Sequence, residues 1–69
     1  MIKFDLEGHE FIELNKLLKI LNFVQTGGEA NIRIEDGEIT VNNEVETQKR
    51  KKCKVGDVIV FGRNKIMIK

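Results

Sequence analysis

The feature of this sequence with the clearest chemical potential is a run of cations in its last third. The run is Lys49-Arg50-Lys51-Lys52-Cys53-Lys54, five cations in six residues. Like charges at this density repel one another, and binding a polyanion would relieve the repulsion. Two plainer interpretations remain open: a solvated segment whose lysines discourage edge-to-edge strand pairing, or a nuclear-localisation signal.

The side chains of this run should divide between two faces if the segment is extended. Successive side chains of a strand point to opposite sides, which puts Arg50, Lys52 and Lys54 on one face and the other three residues on the opposite one. Cys53 would share its face with Val55, and we expect both to point inward. The segment would then present three cations to a ligand.

A second candidate for anion binding is Thr26-Gly27-Gly28, at the predicted start of a short helix. A helix N-terminus offers unpaired N–H groups, and glycine lets a phosphate approach closely. The plainer interpretation is a structural cap, because Glu29 in the first turn can satisfy the helix end and would repel an anion. Lys16 and Lys19 lie on the solvent-exposed side of the preceding helix. They would join an anion site only if the basic run packs beside them.

The net charge of +1 hides a strong asymmetry along the chain. Residues 1–46 contain four cations against ten acidic residues, a net charge of −6, whereas residues 47–69 contain eight cations against Asp57 alone, a net charge of +7. A near-neutral total can therefore conceal a basic face able to meet phosphates.

Catalytic interpretations have little support in the sequence. His9 is the only histidine, serine is absent, and the acidic residues show no paired arrangement. Cys53 lies among cations, which would lower its pKa and make it reactive if it were exposed, but the alternation favours a partly buried thiol. We expect no enzyme activity, no cofactor, no metal site and no small-molecule substrate.

The aromatic residues sharpen the choice of ligand. The chain has four phenylalanines and neither tryptophan nor tyrosine, and the four (Phe4, Phe11, Phe23 and Phe61) occupy positions predicted to be core. Single-strand recognition by base stacking needs exposed aromatic rings. The sequence therefore favours recognition of phosphates and shape, as in folded RNA.

Length and composition limit the number of domains and the kinds of site that the chain can form. The chain of 69 residues is enough for a single domain, residues 1–69. One cysteine allows no internal disulfide, and one cysteine with one histidine cannot build the usual four-ligand zinc site. Without a predicted membrane span or signal peptide, we expect a cytoplasmic protein that acts as a monomer.

The elements that must position the candidates follow from periodicity and turn residues. Alternation predicts a strand over residues 2–6, and the spacing of Leu14, Leu17, Leu18 and Leu21 predicts an amphipathic helix over residues 11–24. A capping box at Thr26 and a terminating Gly37 predict a second helix over residues 27–36. Ala30 and Ile34 should face inward.

The rest of the chain is predicted to form strands. Residues 39–41, the residues from Val45, residues 58–61 and residues 65–69 alternate or are apolar, with turns at Asn42-Asn43 and at residues 62–64. The predicted class is α+β, with two short helices packed on a small, mostly antiparallel sheet of four to five strands.

Several motifs in this order resemble a known family. They are Leu14-Asn15-Lys16-Leu17-Leu18-Lys19, Thr26-Gly27-Gly28-Glu29-Ala30, Gly37-Glu38-Ile39-Thr40-Val41-Asn42, Glu46-Thr47 and Val55-Gly56-Asp57-Val58-Ile59. Residues 12–61 resemble the ribosomal-protein-S-four-type (alpha-L) RNA-binding domain, and more narrowly the small stand-alone bacterial proteins that consist of little else.

The resemblance implies a module whose two helices and adjoining strand loop grip structured RNA, often ribosomal or transfer RNA. Carried over by position, Lys16, Lys19, Thr26, Gly27 and Gly28 would flank phosphates, while Lys49, Arg50, Lys52 and Lys54, with Lys51 between them, would supply a basic wall. The chain departs from the family at Asn31, where relatives usually have lysine, and at Arg33, which takes an often apolar position.

The leading hypothesis from the sequence is non-catalytic binding of structured RNA through the phosphate backbone. Three alternatives remain: a protein–protein interaction module that uses the segregated charges, a DNA-binding accessory factor with the same electrostatics, and a thiol-based sensor at Cys53.

Overall fold

The computed structural model describes all 69 residues. In chain order the elements are β1 (Ile2–Phe4), β2 (Ile12–Glu13), α1 (Leu14–Ile20), α2 (Gly27–Glu35), β3 (Ile39–Val41), β4 (Glu44–Val45), β5 (Lys52–Cys53), β6 (Val58–Phe61) and β7 (Asn64–Ile68). No helix combines the length and the apolar character needed to cross a bilayer.

Five strands form the main sheet in the order β1-β7-β6-β3-β4. The β1–β7 pair is parallel, and the β7–β6, β6–β3 and β3–β4 pairs are antiparallel. A separate antiparallel pair joins β2 to β5, with Ile12 opposite Cys53 and Glu13 opposite Lys52. The predicted α+β class, with two helices and a mostly antiparallel sheet, is confirmed.

Helix α1 is shorter than the predicted residues 11–24. Glu13 has extended backbone angles (φ −70°, ψ 140°) because residues 12 and 13 belong to the ladder with β5. At the other end Asn22 takes a left-handed φ of 62°. The N–H of Asn22 then donates to Lys19 O and that of Phe23 to Leu18 O, the Schellman pattern that terminates a helix.

Helix α2 begins at the predicted Gly27 and ends at Glu35, one residue before the predicted end, with Asp36 as its C-cap. The Thr26 hydroxyl accepts from Glu29 N at 3.1 Å, and Glu29 Oε1 accepts from Gln25 N at 3.0 Å. Gly37 has a φ of 78°, and the bonds from Gly37 N to Ile34 O and from Glu38 N to Arg33 O form a second Schellman motif. The tight turn at Asn42-Asn43 is likewise confirmed, with both residues at positive φ.

One core unites the helices with the inner face of the sheet, and it contains no buried polar side chain. Its buried members are Leu6, Leu14, Leu17, Leu18, Val24, Ala30, Ile34, Ile39, Val41, Cys53, Ile59, Ile66 and Ile68. The predicted inward residues of both helices are among them, except that Leu21 is only partly buried at its edge. Packing of these aliphatic side chains is the main source of stability.

Candidate nucleic-acid interface

The run of cations at residues 49–54, here called the basic segment, is fixed to the start of α1 through its backbone. Leu14 N donates to Lys51 O at 2.9 Å, and Asn15 N donates to Lys49 O at 3.0 Å. These N–H groups open α1 and would otherwise lack partners. The segment therefore caps α1 with its carbonyls, and its side chains are free to point elsewhere.

Cys53 anchors the basic segment in the core. Its side chain is fully buried, opposite Ile12 in the β2–β5 ladder, and its Sγ lies 3.7 Å from Lys51 O. Burial, with the carboxylate of Asp57 as a second cause, raises the pKa of the Cys53 thiol to about 12, although the charge of Lys51 acts in the opposite direction. The predicted inward orientation is confirmed, and the protonated, buried thiol argues against a thiol-based sensor.

The segment ends in a turn over residues 54–57 that Asp57 holds closed. Asp57 Oδ2 accepts from Lys54 N at 2.8 Å, and Asp57 Oδ1 accepts from Asn42 Nδ2 at 3.0 Å. Gly56 supplies the positive φ of 93° that the turn requires. The prediction that Val55 points inward was wrong: the alternation stops at this turn, and the Val55 side chain is 68% exposed.

Four of the five cations of the segment line an open concavity of about 490 Å³. Its lining residues are Gln48, Arg50, Lys51, Lys52, Lys54 and Asp57. Arg50, Lys52 and Lys54 are exposed, as the alternation predicts, and Lys51 is half-buried. None of the four cations forms an ion pair. The one acidic group present, Asp57, already accepts hydrogen bonds from Lys54 N and from Asn42 Nδ2.

Two other cations of the predicted set have acidic partners. Lys49 Nζ lies 3.6 Å from Glu35 Oε2 at the end of α2, and Lys16 Nζ lies 3.3 Å from Glu13 Oε1. Because Glu13 is paired with Lys52 across the β2–β5 ladder, Lys16 lies beside the basic segment. Lys19 is exposed, one turn farther along α1, and has no ion-pair partner.

The start of α2 lies at the far end of the helical pair from the basic segment. Asn15 Nδ2 donates to Asn31 Oδ1 at 3.2 Å, so the start of α1 meets the middle of α2. The Lys49–Glu35 pair brings the segment to the end of α2, about 12 Å along the helix from Gly27 at 1.5 Å per residue. Thr26, Gly27 and Gly28 are therefore separate from the concavity.

Arg33, Arg63 and Lys65 do not line the concavity. Arg33 is held on the surface of α2 by Glu29 at 3.7 Å and Glu38 at 3.3 Å, and Asn31 bridges the two helices. Arg63 lies in the turn between β6 and β7, at the opposite end of β6 from Asp57, and Lys65 follows it in β7. The turn that contains Arg63 is separated from Asp57 by the four-residue strand β6, about 13 Å long, and Lys65 lies opposite Val60 of that strand.

Phe11 and Asp57 were missed as members of the site. Lys52 Nζ lies 5.0 Å from the centroid of the Phe11 ring, a cation–π distance. Phe4, Phe23 and Phe61 pack against the core as predicted, but Phe11 does not belong to that cluster. A sequence signal existed only for Asp57, which follows a glycine in the motif Val55-Gly56-Asp57-Val58-Ile59. The Phe11–Lys52 contact depends on the β2–β5 pairing. No group of three or more residues is arranged to hold a metal ion.

The sequence of this chain is similar to those of several known proteins. The model of the S4 domain family matches residues 4–69. The Putative RNA-binding protein YbcJ of Escherichia coli (strain K12) is 34% identical over 68 residues, 99% of this chain and 97% of that protein. The Probable ribosome maturation protein RlbA of Bacillus subtilis (strain 168) is 36% identical over 50 residues, 72% of this chain and 70% of its own.

A solved structure is similar over nearly the whole chain. The solution structure of YbcJ from E. coli, described as revealing an alpha-L motif involved in RNA binding, matches with a TM-score of 0.74 at 34% identity. The match covers 99% of this chain and 86% of that one.

Proposed function

The chain belongs to the S4 domain family, and we propose that it is a non-catalytic RNA-binding protein that holds folded RNA by its phosphate backbone. The basic segment provides the principal contact, and the start of α2 provides a second one. The similarity to YbcJ, which is described as RNA-binding, supports this function, and the arrangement of charges in this chain supports the surface.

The observation that carries the proposal is the set of four cations without an acidic partner around one concavity. Arg50, Lys51, Lys52 and Lys54 line it together, and their backbone is fixed by α1, by Cys53 and by the turn at Asp57. A fixed backbone lowers the entropy lost on binding. The charges are then attracted to phosphates without first having to leave a carboxylate.

Binding through these cations would be driven by release of counterions from the RNA. If about four to six phosphates are engaged, the logarithm of the association constant should fall against the logarithm of salt concentration with a slope of roughly −3 to −5. Lys16 and Lys19 extend the same side along α1, and Lys16 must exchange Glu13 for a phosphate to contribute. Contacts of this kind orient an RNA and carry little base specificity.

The start of α2 is proposed as the second contact because its glycines are not required by the fold. Neither Gly27 nor Gly28 has positive φ, and an added Cβ would meet nothing within 4 Å at Gly27 and only Thr26 Oγ1, at 3.8 Å, at Gly28. Glycine lowers helix stability, so its presence here needs another reason. Close approach of a phosphate to the exposed N–H groups supplies one.

The RNA is proposed to be structured ribosomal or transfer RNA, and ribosomal RNA is favoured by the name of the Bacillus subtilis relative. A double-stranded RNA presents regularly spaced phosphates and 2′-hydroxyls that shape recognition uses. We also propose that the protein acts as a cytoplasmic monomer without a catalytic centre.

The proposal is tested by fluorescence anisotropy with a labelled ribosomal RNA hairpin and a matched DNA duplex at several salt concentrations. Two variants are compared, Arg50→Ala/Lys54→Ala and Arg63→Ala/Lys65→Ala. Each removes one arginine and one lysine, but only the first pair lies in the concavity. The first variant should bind RNA at least tenfold more weakly with a salt slope smaller by about 2, whereas the second should change affinity much less.

Each other outcome contradicts a definite part of the proposal. Equal losses in the two variants would mean that net charge, and not the concavity, attracts the RNA. Equal binding of RNA and DNA would favour a DNA-binding accessory factor. No binding to either nucleic acid at low salt would overturn the function and favour a protein–protein interaction module.

A further inference from the structure

An open, largely apolar groove adjoins the basic segment on the side of the N-terminal arm. It has a volume of about 440 Å³, within the range of about 300–1,000 Å³ that is typical of small-ligand sites. Its floor is formed by five apolar side chains, Phe4, Leu6, Phe11, Ile12 and Ile20. We refer to these residues and their rim as the apolar groove.

The walls of the groove are preformed by hydrogen bonds. The arm that follows β1 is tied to the C-terminus by Lys69 N to Phe4 O at 2.8 Å and Leu6 N to Lys69 O at 3.0 Å. Its turn is closed by His9 N to Leu6 O at 3.0 Å. The opposite wall belongs to β2 and α1, which are fixed in turn by the basic segment, so the groove does not need to be built by its ligand.

The groove exposes apolar surface that the fold itself does not use. Ile20, at the end of α1, is 57% exposed. Phe11 is only half-buried and does not belong to the core cluster. Its contact is the ammonium group of Lys52, 5.0 Å from the ring centroid. The same ring therefore borders both the groove and the phosphate-binding concavity.

The charge of the rim selects the kind of occupant. The four polar residues that line the groove, here called its rim, are Asp5, Glu7, His9 and Lys16. A net acidic rim would repel a phosphate, but a neutral aromatic base can rest on the apolar floor. Carboxylates can also accept hydrogen bonds from the exocyclic amino groups of adenine, cytosine or guanine.

We propose that the apolar groove receives one unpaired nucleobase of the RNA whose phosphates the basic segment holds. The proposal rests on the proposed function, because the base enters from a backbone already held beside Lys52. Phe11 provides the stacking surface, and Ile20 closes the apolar floor. The expectation that all four phenylalanines are core residues was wrong for Phe11, and the proposal gives this ring a stacking role.

The test compares a fully paired RNA hairpin with the same hairpin carrying one bulged adenosine. The wild-type protein should bind the bulged hairpin roughly 5- to 100-fold more tightly, the range of one base–aromatic stacking contact. Phe11→Leu, which keeps an apolar side chain but removes the stacking face, should bring this ratio close to one. Because the Phe11 ring also contacts the ammonium group of Lys52, Phe11→Leu should weaken binding of the paired hairpin slightly as well, so the ratio of the two affinities is the quantity that tests the proposal.

A matched pair of exposed isoleucines protects the test against effects on folding. Ile20 is 57% exposed in the groove, and Ile32 is 59% exposed on α2 outside it. Ile20→Gln should lower the bulged-to-paired ratio, and Ile32→Gln should leave it unchanged. A bulged uridine should bind more weakly than adenosine because it lacks an amino group; equal binding would overturn the role of the rim carboxylates.

The outcomes separate this inference from the proposed function. Arg50→Ala/Lys54→Ala should weaken both hairpins by a similar factor and preserve their ratio. If the wild-type protein binds RNA in a salt-dependent manner but does not distinguish the two hairpins, the groove has another occupant, such as a protein, and the base-binding proposal fails alone. If neither hairpin binds, both proposals fail.

Discussion

The basic segment and the start of α2 are both proposed to hold phosphate, yet they differ in what supplies the attraction. The basic segment uses side-chain charge on a backbone whose carbonyls cap α1. Residues 26–28 carry no cation, and offer backbone N–H groups beside two glycines. Side-chain charge can be neutralised by a neighbouring carboxylate, whereas a backbone N–H group is occupied by a local hydrogen-bond acceptor, as the Thr26 hydroxyl already occupies Glu29 N. The two contacts must therefore be broken by different substitutions.

The largest effect should come from releasing the turn that ends the basic segment. Asp57→Ala removes two hydrogen-bond acceptor contacts, to Lys54 N and to Asn42 Nδ2. The free energy of unfolding should fall by about 1–3 kcal/mol. Urea titration followed by circular dichroism measures this change in a chain without tryptophan or tyrosine.

Asp57→Asn provides the control for charge. The amide oxygen can still accept one of the two hydrogen bonds, and the concavity loses its negative charge. This variant should be more stable than Asp57→Ala and should bind RNA more tightly than the wild type. Weaker RNA binding by Asp57→Asn would show that the turn geometry outweighs the charge of the concavity.

The second prediction concerns how stability depends on pH through Cys53, the residue that anchors the basic segment in the core. The pKa of the Cys53 thiol is raised to about 12 in the fold from an ordinary value of 9.0. Above pH 9 the unfolded chain therefore loses this proton while the folded protein keeps it. Stability should fall by about 1.4 kcal/mol per pH unit until the folded pKa is reached.

Cys53→Ala isolates this contribution from the titration of the lysines. The variant should be less stable at pH 7, because it leaves a small cavity, but its loss of stability between pH 9 and pH 10.5 should be shallower than that of the wild type. Urea titrations at matched pH values measure the difference. Parallel curves for the two proteins would mean that the thiol is accessible to solvent and that the segment is not anchored there.

The features predicted correctly from the sequence are those set by neighbouring residues. The Thr26 cap, the Gly37 terminus and the Asn42-Asn43 turn each depend on residues within a few positions of one another. The outward cations and the buried Cys53 follow from strand alternation over one short stretch. The motifs that led to the S4 family have the same local character, and they indicated the fold and the family correctly.

The features missed depend on pairs far apart in the chain. The pairing of Ile12 with Cys53 shortens α1 and brings Phe11 under Lys52. The ion pair of Lys49 with Glu35 removes one cation from the free set. Periodicity contains no information about such pairs, so a count of lysines overstated the free charge of the site.

The glycines at the start of α2 give the third prediction. Gly28→Ala should raise the free energy of unfolding by up to about 0.5 kcal/mol, since alanine is the better helix former and its Cβ has room. The same change should weaken RNA binding roughly tenfold if a phosphate approaches the backbone there, about the size of one lost hydrogen bond to a charged group. Urea titration and anisotropy on the same sample measure the two quantities.

A gain in stability together with a loss of RNA affinity would distinguish a phosphate contact from a purely structural helix cap. Gly62→Ala is not a suitable control, because Gly62 has a φ of 62° and would be strained. Gly27→Ala, at the neighbouring open position, should repeat the result. A variant that gains stability and keeps its full RNA affinity would leave the basic segment as the principal contact and remove the start of α2 from the interface.

The smallest expected effect is the difference in RNA affinity between removing a cation that has an acidic partner and removing one that has none. Lys49 already has Glu35 as a partner at 3.6 Å, whereas Arg50 beside it has none. Lys49→Ala should therefore weaken RNA binding only about two- to threefold, the scale of a surface ion pair, and Arg50→Ala should weaken it more. Glu35→Gln should free Lys49 and strengthen RNA binding by a similar small factor. If Lys49→Ala and Arg50→Ala weaken binding equally at every salt concentration, the carboxylate does not compete with the phosphates, and the number of cations alone sets the affinity of the basic segment.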